Sequence, residues 1–126
     1  MRRAARPLPD RPLNWLELGG KVVDGLVIVQ NYNREDDSPR FRAFREAYFK
    51  RFQKNPGYSS VSANDAATVL FDALGKREAD ATVKAAVLRN EPCQGLQQQI
   101  VFDANGDTQR KVFFTEISEG RFVLIK

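Results

Sequence analysis

Apolar and polar positions follow three rhythms along this chain. Leu26-Val27-Ile28-Val29 is an unbroken branched run between Gly25 and Gln30-Asn31-Tyr32. Such a run marks a strand covered on both faces, as in the parallel sheets of α/β proteins, and a strand is predicted over residues 22–31. From Ser38 the rhythm is helical. Ser38-Pro39 supplies a capping hydroxyl and then a proline where no amide hydrogen is needed. Phe41, Phe44, Tyr48 and Phe52 fall within about an 80° arc at 100° per residue, so they form one apolar stripe, expected in the core. Asn55-Pro56-Gly57 ends that helix. A second helix follows Tyr58-Ser59-Ser60, with Ala63, Ala66, Ala67, Leu70, Phe71 and Leu74 as its predicted buried side and Gly75 closing it. A third, shorter helix begins near Asp80 or Thr82, turns Val83, Ala86 and Val87 inward, and stops at Glu91-Pro92.

Beyond Gly95 the rhythm is that of strands. Ile100-Val101-Phe102, Lys111-Val112-Phe113-Phe114 and Arg121-Phe122-Val123-Leu124-Ile125 are separated by Asp103-Ala104-Asn105-Gly106-Asp107 and by Ser118-Glu119-Gly120. Gly, Asn and Asp supply the positive-φ turn positions that Val, Ile and Phe cannot, so these runs are predicted to be consecutive hairpin strands. The order is strand, three helices, hairpin strands, an α/β arrangement in one domain-sized chain of 126 residues. Ahead of it, residues 1–14 read as a basic, proline-punctuated tail, followed by the short apolar segment that ends at Gly19-Gly20. No apolar run approaches the ~20 residues of a membrane span. No apolar stretch follows Met1-Arg2-Arg3 either, so no export signal is expected in the chain as it stands.

Charge and chemistry change this picture little. Residues 1–12 hold four arginines and one aspartate, which is +3 of the net +4. A second basic excess, six Lys/Arg against Glu46, lies between Ser38 and Lys54. At helical spacing Arg40, Arg42, Arg45 and Lys50 point in different directions, which argues against a nucleic-acid face. Cys93 is alone and there is no histidine. That removes intrachain disulfides, the usual zinc sites, Ser-His and Cys-His pairs and imidazole acid–base chemistry, and with them most common enzyme designs. Asp103, Asn105 and Asp107 imitate the opening of a calcium loop, but the twelfth position is Phe114 rather than glutamate, so a turn is expected and no metal. Asp36 and Asp37 read as a solvated link.

One ordered series of motifs carries more information. Gly19-Gly20-Lys21-Val22-Val23-Asp24-Gly25, Phe44-Arg45-Glu46-Ala47-Tyr48-Phe49-Lys50-Arg51-Phe52, Asn64-Asp65-Ala66, Gly95-Leu96 and Phe102-Asp103-Ala104-Asn105-Gly106-Asp107 together resemble the C-terminal part of the Leu/Ile/Val-binding family of type 1 periplasmic solute-binding proteins. The likeness runs from about Trp15 onward. Asp24 departs from the usual glutamate, and Asn64 from the usual tyrosine.

The resemblance implies a partial type 1 periplasmic-binding-protein fold: a parallel strand, three helices and C-terminal β-hairpin strands. Residues 15–126 would be the C-terminal portion of a two-lobed ligand-binding domain, with lobe crossings just after Tyr32 and near Pro92 to Gly95. It implies periplasmic binding of an amino acid of branched-chain type for an ABC importer, by lobe closure, without catalysis or cofactor. A ligand-sensing regulatory module of the same fold is the alternative. The implied partners are the solute and the importer's membrane subunits, with no nucleic acid. Tyr58, and after it Tyr32, are the implied ligand-binding residues; read alone, both are also consistent with edge-of-core tyrosines. A chain lacking the partner elements of both lobes is expected to self-associate as a dimer.

Overall fold

The computed structural model describes residues 15–89 and 91–125; the predicted tail over 1–14 lies outside them. Its elements are α1 (Trp15–Gly19), a 3₁₀ turn (Gly20–Val23), β1 (Val27–Gln30), α2 (Pro39–Phe52), α3 (Tyr58–Lys76), α4 (Val83–Val87), β2 (Cys93–Gln94), β3 (Gln99–Ile100), β4 (Phe113–Ser118) and β5 (Arg121–Ile125). They fall into two compact units. The first runs up to Ile28 and resumes at Phe114; the second is Val29–Phe113. The crossing expected near Pro92 to Gly95 therefore lies at Phe113–Phe114 instead, because the short β2–β3 hairpin stays with the helices.

In the first unit the strand order is β1-β4-β5. β4 and β5 pair antiparallel, Phe114 opposite Ile125 and Ser118 opposite Arg121. Glu119 and Gly120, at φ +50° and +70°, make the tight two-residue turn that suits the twist of the hairpin. The foot of β1 meets β4 through a bulge. Asp24 (φ −63°, ψ 136°) and Gly25 (φ +82°) are the central residues of a turn closed by the Leu26 N–H on the Val23 carbonyl. The Gly25 N–H then donates to the Ile117 carbonyl, and the Ile117 N–H to the Leu26 carbonyl, an antiparallel bulge that needs glycine at its first position. Ile117 and Thr115 are buried on one side of this sheet. On the other, Phe114, Val123 and Ile125 stay 44–48% exposed. Val27 and Val29 are also half exposed, so the strand predicted to be buried on both faces is covered on one among the described residues. β1 has no parallel neighbour among them either.

The second unit is built on α2 and α3. Ser38 Oγ accepts the Phe41 N–H at the start of α2, as Ser38-Pro39 predicts, and Thr82 Oγ accepts the Ala85 N–H at the start of α4, which places that start at the second of the two positions, Asp80 or Thr82, that the sequence offers. Tyr32, Phe41, Val61 and Leu96 form the core, with Phe44 packed against it. The aromatic stripe starts in that core and runs out of it. Ring centroids step 6.3, 6.5, 5.8 and 4.6 Å from Tyr32 through Phe41, Phe44 and Tyr48 to Phe52, while exposure rises from 1% at Phe41 to 55% at Phe52. α3 is turned round relative to expectation. Val61, Asp65 and Ala73 are its buried residues, and Ala63, Ala66, Ala67, Leu70, Phe71 and Leu74 are exposed. The helix period shows which side chains share a face, but the buried face here is chosen by a carboxylate.

That carboxylate is Asp65, 2% exposed. Its Oδ1 accepts the Leu96 N–H at 2.8 Å and its Oδ2 lies 3.6 Å from the Arg110 guanidinium. Gly95 is obligatory beside it, since a Cβ there would stand 2.9 Å from Asp65 Oδ2 and 2.8 Å from the Gln98 carbonyl. The first of the predicted hairpin strands is correspondingly displaced. Ile100 is in β3, which pairs with β2, and Phe102 bridges Thr108 to close the Asp-Ala-Asn-Gly-Asp loop. Within that loop Asp103 Oδ1 accepts the N–H groups of Asn105 and Asp107, both at 2.9 Å, so this acceptor is turned on its own turn.

Candidate functional site

Tyr32, Arg34, Phe41, Arg45, Asn55 and Pro56 line an open concavity of about 460 Å³ in the second unit, within the ~300–1,000 Å³ usual for small-molecule sites. Tyr32 and Arg34 come from the segment that follows β1. They lie two residues apart, Arg34 opening the turn that follows. Phe41 and Arg45 sit one helical turn apart on α2, and Asn55-Pro56 from the break between α2 and α3. The Tyr32 hydroxyl donates to the Pro56 carbonyl at 3.4 Å, tying the two loops together. Its ring stands edge-on to Phe41 and carries the Arg34 guanidinium 5.3 Å from its centroid.

The segment bearing Tyr32 and Arg34 is held from behind by two glutamines. Gln97 accepts the Asn33 N–H at 3.0 Å and donates to the Asn33 carbonyl at 2.7 Å, satisfying both backbone groups of the residue between them. Gln98 donates to the Asn31 carbonyl at 3.1 Å and accepts the Lys111 N–H at 2.8 Å. Both glutamines belong to the β2–β3 turn that Asp65 anchors through Leu96. A continuous set of hydrogen bonds thus runs from α3 to the wall of the concavity.

No acidic side chain is among the six lining residues. Burial raises the Tyr32 phenol above its ordinary 10.0, outweighing the guanidiniums of Arg34 and Arg45 that act to lower it; burial also lowers Arg34. The sign for stability follows. A phenol raised in the folded state contributes stability fully below about pH 10 and loses it as pH rises through the folded value. Tyr32→Phe is therefore expected to flatten the alkaline limb of a stability–pH curve while costing less than about 1 kcal/mol at pH 7, measured by urea unfolding between neutral and alkaline pH.

Two guanidiniums beside aromatic walls suit a planar anionic group attached to an apolar body. Of the two tyrosines singled out from sequence, Tyr32 is in this wall, although 4% exposed and with its hydroxyl engaged. Tyr58, 41% exposed at the first turn of α3, lies outside the wall. Arg34, Arg45 and Asn55 escaped sequence reasoning. Arg45 has a signal in hindsight, its i+4 relation to the buried Phe41, whereas nothing local marks Arg34 or Asn55.

A family model described as periplasmic binding protein matches residues 12–121. Among solved structures, an ABC transporter substrate-binding protein from Desulfitobacterium hafniense in complex with Leu superposes with a TM-score of 0.75 at 24% identity, over 88% of this chain and 33% of that one. The leucine-binding protein LivK of Thermotoga maritima gives 0.76 at 24%, again over 88% and 33%. A solute-binding protein from R. palustris in complex with benzoate gives 0.71 at 17%, over 89% and 32%. The chain thus spans about a third of the length of these proteins. No curated protein matches it significantly.

Proposed function

We propose, from the premise that this chain belongs to the periplasmic binding protein family, that it is the C-terminal portion of a solute-binding protein serving an amino-acid ABC importer. The match over residues 12–121 carries this reading. The division of the chain at Ile28–Val29 and Phe113–Phe114 supports it, because two chain passages between two compact units are what closure about a hinge requires. The solute is a carboxylate on an apolar body, of branched-chain amino-acid type. Leucine and benzoate, held by the two superposed proteins above, share that chemistry, and the arginine-lined, aromatic-walled concavity is suited to it. Tyr32 contributes ring surface, Arg34 and Arg45 contribute positive charge, and Tyr58 contacts the solute once the lobes close. Binding stabilises the closed state by contacts the open state lacks, with no covalent step. The protein works in the periplasm, hands its solute to the importer's membrane subunits, binds no nucleic acid, and in this 126-residue form pairs with a second copy.

Calorimetry tests the reading. Titration of leucine, isoleucine and benzoate, with lysine and glucose as controls, is expected to give saturable binding to the protein isolated from its source cell. The 126-residue chain alone is expected to bind them only in the millimolar range, ~4 kcal/mol or less. A whole protein indifferent to every apolar carboxylate would sink the solute class. Micromolar leucine binding by the short chain would instead remove the need for two complete lobes.

A further inference from the structure

Gln98 is bonded to both passages of chain that join the compact units. The division falls at Ile28–Val29 on one passage and at Phe113–Phe114 on the other. Just inside the second unit, Gln98 Nε2 donates to the Asn31 carbonyl at 3.1 Å and lies 3.5 Å from the Lys111 carbonyl, while Oε1 accepts the Lys111 N–H at 2.8 Å. Asn31 and Lys111 belong to no strand, so this side chain takes the place of a ladder there. Two residues, Val29-Gln30 on one passage and Val112-Phe113 on the other, are left between the clamp and the division.

The clamp is firmly mounted. The Gln98 carbonyl accepts the Gly95 N–H at 3.1 Å, and Leu96 between them is 8% exposed with its N–H on Asp65. The adjacent Gln97 holds both backbone groups of Asn33, the residue between Tyr32 and Arg34. One turn thus grips both passages and the wall of the concavity. We propose that Gln98 is a positioning residue of solute binding: it makes the two passages move as one body with the β2–β3 turn, confines bending to the two residues beyond it on each, and so keeps Tyr32 and Arg34 in binding geometry while the units reorient. This rests on the reading that the chain binds a solute by closure, and adds which side chain holds the wall through that motion. The chemistry of an amide is required. It donates to a carbonyl and accepts an N–H at once, whereas a carboxylate of the same shape has no hydrogen to give Asn31. With the clamp released, the wall is competent for only part of the time, and apparent affinity falls by that fraction.

Gln98→Glu in the whole protein tests this, with Gln98→Met as a neutral variant and Gln99→Glu as a control that sets the same charge on the neighbouring, exposed glutamine. Circular dichroism checks that each is folded. In stopped-flow binding of leucine and of benzoate, both Gln98 variants are expected to slow association about tenfold, the wall being formed about a tenth of the time, and to leave dissociation within about twofold. Loss of a direct solute contact would instead speed dissociation. Amide exchange without solute gives a second readout. In Gln98→Glu the Asn33 N–H should lose most of its protection although its own acceptor, Gln97, is untouched, while Lys111, which keeps an acceptor, stays protected. Gln98→Glu that binds both solutes as the wild type does overturns the proposal. So does unchanged association with faster dissociation, which would make Gln98 a contact of the solute, and so does an equal loss in Gln99→Glu, which would make the effect one of charge. A wild type that binds neither solute fails the solute class alone; Asn33 then decides, and full protection in Gln98→Glu overturns the clamp as well.

Discussion

Asp65→Ala is expected to cost the second unit about 3–5 kcal/mol, the loss that follows when one partner of a buried charged pair is removed. Three consequences add. The Leu96 N–H, bound to Asp65 at 2.8 Å, loses its acceptor inside the core. Arg110, with 17% of its side chain exposed, keeps its charge without the carboxylate beside it. The anchor of the β2–β3 turn goes, and with it the platform from which Gln97 and Gln98 hold Asn31 and Asn33. Urea unfolding followed by circular dichroism at 222 nm reports α2 and α3, whereas amide exchange of β4 and β5 across the same urea series reports the first unit. The midpoint should fall in the former and hold in the latter. Asp65→Asn separates the parts: it keeps an acceptor for Leu96 and gives up the charge, so about 1–3 kcal/mol is expected. Equal losses for Asn and Ala would place the whole effect in the ion pair. Amide exchange offers a second check, because Asn33 should lose protection in Asp65→Ala although the two residues are not bonded to each other.

How much of this was legible beforehand varies with how local each cause is. The Ser38-Pro39 helix start and the Ser118-Glu119-Gly120 turn depend on hydrogen bonds and torsions spanning three or four residues, and each lies where the residues placed it; the start of α4, left between Asp80 and Thr82, falls at Thr82. The ordered motif series pointed to the family. The covered side of α3 was not legible, because the apolar stripe is real but unopposed, and the side that packs carries an aspartate whose partner amide is 31 residues away. The three glutamines at 97–99 read as a polar spacer in sequence. In the fold two of them substitute for backbone partners of segments 64 and 67 residues earlier. The concavity was legible only through Tyr32. Its cationic residues are drawn from a loop and from α2, and nothing in either segment alone says that they converge. In each miss the deciding interaction joins residues distant in sequence, and most are polar groups, whose burial needs a partner that periodicity cannot show.

Phe41→Ala should be the other large loss, about 3–5 kcal/mol. Phe41 is 1% exposed and sits at the junction of Tyr32, Val61, Leu96 and Phe44. Truncation leaves a cavity walled by α2, α3, the Leu96 turn and the Tyr32 segment, elements fixed by their own hydrogen bonds and so unable to collapse fully into it. The stripe supplies an internal control. Phe52 lies on the same side of α2, but 55% exposed, so Phe52→Ala should cost less than about 1 kcal/mol. Near-equal losses at the two positions would mean that the outer end of the stripe is buried in solution, against a partner that covers it. The two substitutions should also differ at the site. Phe41 is a wall of the concavity and the edge-on neighbour of Tyr32, so its removal frees the Tyr32 ring and, with it, the surface on which Arg34 rests. In the whole protein Phe41→Ala should therefore weaken solute binding about tenfold or more, under conditions where circular dichroism shows the chain still folded. Phe52→Ala should leave affinity as it is. If Phe41→Ala lowered the unfolding midpoint but left solute affinity untouched, the concavity would be a feature of packing and the solute would have to bind elsewhere in the fold.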